Sequence, residues 1–307
     1  MDFLLTLSTV AVMLLYAVPG FIMMKAKMMT VETIKAISKI MIFVCQPCFA
    51  VYAFNQLEFS WQFLGQVLVF MAVIILIQLV VILLFALLYR KKFNEVRYRI
   101  STIASCFGNC VFFGAPVLEA LLPGFPEAIV FANAYAVAMN LLGWTVGSAL
   151  ITKDKKYISL KKVFLNPGMI GFLCAVFFYV VGLKFSGNIL NSLSLLGKMT
   201  TPLSMMVLGM RLAIIPLKPI FTTPLFYFTI LFKQMIYPLF GGFIISLLPF
   251  MSQDIRTTTF ILCACPVASI VLNFSEMLGD GQEDAADLFL LGTLGSIVTM
   301  PVILLLL

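Results

Sequence analysis

The sequence predicts an all-α polytopic membrane protein of ten transmembrane helices, arranged as two inverted five-helix repeats with broken helices in fourth and ninth place. Three observations predict it. Apolar runs of about 20 residues, enough to cross ~30 Å of hydrocarbon, follow one another along nearly the whole chain. Basic residues gather in every second connection. Two of the apolar runs, one in each half, carry helix-breaking residues in their middle.

The composition excludes the soluble classes. Of 307 residues, 62% are hydrophobic and 11% charged, too little charge to cover so much apolar mass in water. The predicted spans run over residues 3–24, 34–56, 61–89, 100–121, 126–151, 166–184, 190–214, 220–249, 254–278 and 282–306. They divide into a first repeat over 1–151, a cytoplasmic connection over 152–165 and a second, inverted repeat over 166–307. Every connection is short, which leaves no room for a soluble catalytic domain. The opening "MDFLLTLSTV" lacks the basic stretch of a cleaved signal peptide, and its span is longer than a signal's apolar core, so it is expected to be retained.

Charge orients the chain, because basic residues prefer the cytoplasm. The connection after span 1 carries Lys25, Lys27 and Lys35, and that after span 3 Arg90, Lys91, Lys92, Arg97 and Arg99. After span 5 come Lys153, Lys155, Lys156, Lys161 and Lys162, and after span 7 Arg211 and Lys218. The alternate connections hold Lys184, Lys198 and Arg256. The expectation is a cell-membrane protein with the odd-to-even connections inside and both termini outside. The last inner connection, "GDGQEDAAD", runs against this pattern by being acidic. The net charge of +7 is mostly topology, with no soluble basic face for nucleic acid.

The repeat shows in the broken runs. "GNCVFFGAPV" (108–117) lies in the fourth span and "CACPVASIVLNF" (263–274) in the ninth. Each places a Pro-Val pair, Pro116-Val117 or Pro266-Val267, inside an apolar run, with a short polar connection and a last span after it. Spans 2 and 7 match more loosely around Pro47 and Pro202. Spans 1–5 thus pair with spans 6–10, and five being odd, the second copy enters the membrane in the opposite sense, as in many secondary transporters. A proline in mid-helix frees backbone groups that lipid cannot satisfy, so such segments must face protein or a watery cavity. Half-helix N-termini in such a place present N–H groups and partial positive charge to an anion.

Seven cysteines and no histidine are present. Most of the cysteines lie within spans, where they read as small polarizable packing residues. Cys106 with Cys110 and Cys263 with Cys265 have the spacing for a soft metal, but without histidine no metal or other cofactor is expected.

The motifs together resemble the auxin efflux carrier family, bacterial permeases related to the plant PIN transporters. The fourth span is similar to the family's Gly-Asn-x-x-[Phe/Leu]-x-Gly-x-Pro-[Leu/Val] element, with Gly108, Asn109, Gly114, Pro116 and Val117 in place. Asn166-Pro167 resembles the family's opening of span 6, and Gly197, Pro202, Leu208, Gly209 and Leu212 its span 7. Lys233 followed five positions later by Pro238 resembles its span 8. The resemblance runs over essentially the full chain, and it rests on the order and spacing of the motifs. It implies the fold shared with bile acid symporters, in which the two broken helices cross in mid-membrane, at Pro116 and Pro266 here, with substrate at the crossing. It also implies a scaffold of spans 1, 2, 6 and 7, a transport unit of spans 3–5 and 8–10, and small organic anions, malate-like or auxin-like acids, as substrate. Cys106, Cys110 and Val111 flank the break where family members vary. No carboxylate lies near either proline, which argues against a carboxylate-based sodium or proton site.

Among polar residues at depth, Lys233 is placed about 20 Å from either end of its span at 1.5 Å per residue, too far for its stem to reach water. Three roles are open to it: attracting an anion, filling a position where a related carrier binds a cation, or pairing with carbonyls of a broken helix. In the first two, Lys233→Met is expected to be stable and inactive, and Lys233→Arg to keep some activity. Asn109 suits either a carboxylate or a free carbonyl. Gln46, Gln78, Asn133 and Asn140 are explained adequately by interhelical bonding. Glu119, Asn273 and Glu276 fall toward span ends, and both acids read as interface charges. Gly143 and Gly147 form a small-residue face, for helix packing or a dimer contact. The substrate-binding candidates are Gln46, Gly108, Asn109, Gly114, Pro116, Lys233, Cys265 and Pro266. The sequence reads as a secondary carrier of small organic anions working by alternating access, in the lipid bilayer and in a homodimer if one forms. A channel and a sensor without flux stay open. An enzyme is not expected, since no paired acids, Ser/Lys dyad or metal cluster lies at depth.

Overall fold

Helix starts and stops follow the local sequence. The chain, described in a computed structural model over residues 3–214 and 223–307, begins with α1 (Phe3–Lys25), α2 (Val31–Asn55) and α3 (Trp61–Leu88). Lys218 and the first residues of the predicted eighth span lie outside the described residues, as do the side chains of Lys155 and Asn273. The fourth predicted span is two helices, α4 (Val96–Ala104) and α5 (Cys110–Leu121), and the fifth is α6 (Glu127–Thr152). After a connection with a single turn at Leu160–Phe164 come α7 (Pro167–Val181), α8 (Gly187–Lys198) and α9 (Thr200–Ile214). The chain ends with α10 (Pro224–Ser246), α11 (Gln253–Ala264), α12 (Ser269–Leu278) and α13 (Gln282–Leu304). Ser60 caps α3 by accepting the Phe63 N–H at 3.3 Å, and Asn166 caps α7 by accepting the Gly168 N–H at 2.9 Å, with Pro167 in the first turn. Gly182, at φ 74°, ends α7 in the left-handed conformation that glycine adopts without strain.

Six of these helices, α1, α2, α3, α6, α10 and α13, are long and apolar enough to cross a membrane. The protein is a multi-pass, all-helical membrane protein, and among the described residues no strand forms. On α3, Phe70, Ile74, Ile77 and Val81 are buried, while Leu68, Leu76, Leu83 and Leu87 on the other side are exposed. The buried set recurs every three to four residues, as one helix face must, and the exposed leucines are where lipid would lie. The predicted seventh span is interrupted at Met199, between α8 and α9, a break the sequence reading did not include.

Several prolines that looked like breaks are not breaks. Wide π-turns cover Met41–Cys45, Cys110–Gly114 and Phe232–Ile236, and each stops two residues short of a proline: Pro47, Pro116 and Pro238. A helical proline collides with the carbonyl four residues back and gives it no N–H. Widening the preceding turn by one residue relieves that collision and keeps the helix going. For Pro116 the freed carbonyl is that of Phe112, and the Ser204 hydroxyl of α9 donates to it at 3.4 Å.

Small residues set the closest helix contacts. A Cβ on Gly20 would overlap the Met206 carbonyl, and one on Gly209 the Ala17 carbonyl, so α1 and α9 meet backbone to backbone. In α7, a Cβ on Gly171 would stand 2.5 Å from the Pro47 Cα, which brings α7 equally close to α2. Gly143 is likewise used inside the chain, since a Cβ there would stand 2.6 Å from the Phe274 ring. Gly147 is buried near Ile103 and Phe107, so the small-residue face of α6 is not free for a second copy. The acidic connection also finds its reason: Asp280 accepts from the buried Arg99 guanidinium at 3.3 Å, beside the basic cluster that precedes α4.

Candidate functional site: a crossing of two broken helices

The break in the fourth span lies at Ser105–Asn109, between α4 and α5, and that in the ninth at Cys265–Ala268, between α11 and α12. Pro266 disfavours the helical conformation at Cys265, whose φ of −55° and ψ of 144° are extended. The two extended pieces run antiparallel and pair. The Asn109 N–H donates to the Pro266 carbonyl at 2.8 Å, and the Ala268 N–H donates to the Phe107 carbonyl at 3.0 Å. Each break thus satisfies backbone groups of the other, which lipid cannot do.

Four half-helix ends meet here, and they are treated unequally. The negative C-terminal ends are covered. Lys233, fully buried, reaches from α10 to donate to the Cys263 and Cys265 carbonyls at the end of α11, at 2.6 and 2.8 Å. The Tyr135 hydroxyl of α6 donates to the Cys106 carbonyl just past α4, at 3.2 Å. Tyr135 and Tyr237 join their hydroxyls at 3.1 Å, and the Lys233 ammonium sits 4.8 Å from the Tyr237 ring, so the two caps form one buried network. The positive N-terminal ends, by contrast, open on a cavity. Val111 and Phe112 at the start of α5, and Ser269 and Ile270 at the start of α12, line it. The first N–H groups of a helix have no partner within their own helix.

This cavity, of about 220 Å³, lies beside the crossing, against α2, α6 and the start of α7. Gln46, Asn109, Asn140, Asn166, Trp144 and Ser269 are its polar wall, and among the described residues no charged side chain is part of it. The Asn166 amide donates to Asn140 at 3.4 Å, and the Lys162 ammonium stands 5.0 Å from the Trp144 ring. The indole N–H of Trp144 is buried without a partner. A separate crevice of about 710 Å³ lies further along α5, toward its C-terminal end, lined by Phe49, Pro116, Glu119, Lys198 and Thr201. The two spaces share no lining residue.

The candidate residues are therefore only partly brought together. Gly108, Asn109 and Gln46 line the cavity, and Pro266 forms the crossing itself. Pro116 does not stand at the crossing: it begins the regular part of α5 after the π-turn and lines the second crevice together with Glu119, so that, against expectation, a carboxylate does lie near this proline. Lys233 lies behind the crossing, where a Cβ on Gly108 would be 3.1 Å from its ammonium, and it does not line the cavity. Its geometry is that of a helix-end cap, the third of the roles open to it. Gly114 and Cys265 are packing partners, since a Cβ on Gly114 would stand 2.8 Å from the Cys265 sulfur. Among the described residues no three acids or cysteines are grouped to hold a metal. Asn133 bonds back to its own helix at the Ile129 carbonyl. The sequence reading missed Trp144, Asn166 and Ser269 as wall residues. Trp144 is one of only two tryptophans, and its place near the end of a span was the available signal.

No curated protein matches the chain. The model of the family described as membrane transport protein matches residues 151–304, a stretch that includes α10, the crossing segment between α11 and α12, and Lys233. The chain thus belongs to the membrane transport protein family, the auxin efflux carriers, and that family is one of membrane transporters, not of enzymes.

Proposed function

We propose that this chain is a secondary carrier of small organic anions, malate-like or auxin-like carboxylates, built as ten membrane spans in two inverted repeats. The observation that carries the reading is the unequal treatment of the helix ends at the crossing. Their negative ends are capped by Lys233 and Tyr135, while their positive ends line a cavity. Each helix N-terminus favours an anion by about 0.3–1 kcal/mol, more where water is scarce. The volume is below the ~300–1,000 Å³ of pockets for drug-sized ligands, which suits a small acid.

The pairing of spans 1–5 with 6–10 is supported by the glycine contacts. Under that pairing, span 1 against span 7 becomes span 6 against span 2, and these are the two closest helix contacts, α1 with α9 and α7 with α2. Alternating access is supported over an open channel by two spaces at different levels along α5 that share no lining residue. Spans 1, 2, 6 and 7 serve as scaffold, and the crossing moves with spans 3–5 and 8–10 against it.

The test is uptake into proteoliposomes of a panel of mono- and dicarboxylates under imposed proton, sodium and voltage gradients. Saturable uptake that is stimulated by unlabelled acid on the opposite side is the expected result. Flux without such counterflow would make the protein a channel, and no flux would leave a sensor. Orientation has its own test. Ser159 caps the Leu160–Phe164 turn by accepting the Lys162 N–H, so the exposed neighbour Lys161 is the better position for a label. In a cysteine-free background, Lys161→Cys is expected to react with an impermeant maleimide only after the cytoplasmic side is opened. Reaction in intact cells would invert the topology.

A further inference from the structure

The main cavity has an anion's geometry without a charged side chain in its wall, yet a guanidinium stands next door. A smaller pocket shares Ile42, Asn109, Phe112 and Ser269 with the cavity and adds Arg211, from the last turn of α9. Arg211 is the one charged side chain lining either space among the described residues. Its side chain is 13% exposed, and Nη1 holds a carboxylate oxygen of Glu276 at 2.7 Å. Glu276 belongs to α12, whose first residue, Ser269, lies at the crossing, while Arg211 belongs to the helix that packs on α1.

From this we infer that Arg211 is the carboxylate-selecting residue of the carrier, and that Glu276 is a tethered carboxylate occupying it when substrate is absent. The inference rests on the reading of the protein as a carboxylate carrier and names the residue that supplies its charge selectivity. Guanidinium matches a carboxylate through paired N–H donors, which an ammonium or an amide does not reproduce. An acid entering by way of Asn109 and Ser269 reaches the pocket that Arg211 lines and exchanges with Glu276 there. Glu276 is the more exposed partner, with 41% of its side chain accessible, so it is the one free to swing into water on exchange. Because the pair joins the crossing helix α12 to α9, the exchange also releases a tie between the moving and the static parts.

The test compares two single variants with opposite expectations, in proteoliposomes with malate as the probe. Glu276→Gln removes the competitor, and KM for malate is expected to fall about threefold or more. Arg211→Gln removes the selecting charge, and KM is expected to rise at least tenfold, with Arg211→Lys between it and the wild type. Melting temperatures are read on the same preparations, so that a misfolded variant is not scored as a binding loss. A merely structural ion pair moves both variants the same way, lowering stability and rate together without opposite shifts in KM; that result overturns the inference. So does an unchanged KM in Arg211→Gln. If the wild-type protein takes up no acid from the carboxylate panel, the carrier reading falls first, and this inference with it. Should Arg211→Gln fail to fold, competition of malate uptake by acetate and by methyl esters of malate on Glu276→Gln decides. Sharper discrimination against the esters than in the wild type supports the role, and equal discrimination overturns it.

Discussion

Lys233→Met is expected to melt several degrees below the wild type and to transport nothing. The depth of Lys233 alone suggests the reverse for stability, because removing a buried charge relieves a desolvation cost. The structure changes the balance. The ammonium bonds two carbonyls at the end of α11 and lies over Tyr237. Methionine leaves both carbonyls buried and unpaired, at about 1–3 kcal/mol each, and returns only part of this through relieved desolvation. A net loss of about 2 kcal/mol follows, and it falls on the crossing, since Cys265 is part of the extended segment that pairs with Gly108 and Asn109. Transport is lost because the crossing distorts and because the negative end of α11 is no longer neutralised beside an anion site. Lys233→Arg is expected to fail as well, against the expectation from charge alone. The ammonium is fully buried between the Cys263 and Cys265 carbonyls and the Tyr237 ring, and a broader guanidinium has no room there. The measurement is melting temperature and uptake on the same purified variants. A Lys233→Met protein as stable as the wild type sinks the capping role.

What was legible in the sequence divides by the range of the physics involved. Membrane residence, helical class and the depth of Lys233 follow from composition and a rise of 1.5 Å per residue, all local quantities. The break at Pro266 was legible because a proline disfavours helix at its immediate predecessor, Cys265, and here no wide turn absorbs it. The partner of Lys233 was not, because it depends on which helix end lies 30 residues away in sequence and a few ångströms away in space. Pro116 misled for a related reason. Whether a proline breaks a helix or widens a turn depends on whether a neighbour donates to the freed carbonyl, and the Ser204 hydroxyl of α9 donates to that of Phe112. The cavity wall was half legible: Asn109 and Gln46 stand beside obvious breaks, whereas Trp144 and Asn166 are placed by the packing of α6 against the start of α7. The acidity of the last connection depends on a partner far off in sequence, the Arg99 guanidinium that Asp280 meets.

Pro266→Ala is expected to abolish transport, while Pro116→Ala retains a substantial part of it. The sequence alone treats the two prolines as equivalents, and the structure separates them. At Pro266 the ring has two effects: it holds Cys265 extended and it denies the chain an N–H that would continue α11. Alanine is a strong helix former, and with it residues 265–268 join α11 to α12 as one helix. The N-terminus at Ser269 then disappears, together with its free N–H groups and its partial positive charge. The two bonds that tie the breaks, from Asn109 to the Pro266 carbonyl and from Ala268 to the Phe107 carbonyl, are lost with it. Lys233 keeps no free helix end to cap, and its charge is left buried without full compensation, a costly state. At Pro116, seven residues beyond Asn109, the ring shapes only the π-turn over Cys110–Gly114. The break at Ser105–Asn109 and both tying bonds do not depend on it. The comparison uses uptake rates normalised to folded protein, with circular dichroism for helix content. Pro266→Ala should gain helix and lose transport, by a factor of ten or more relative to Pro116→Ala. Equal rates in the two variants would mean that the crossing does not depend on an extended segment at Pro266.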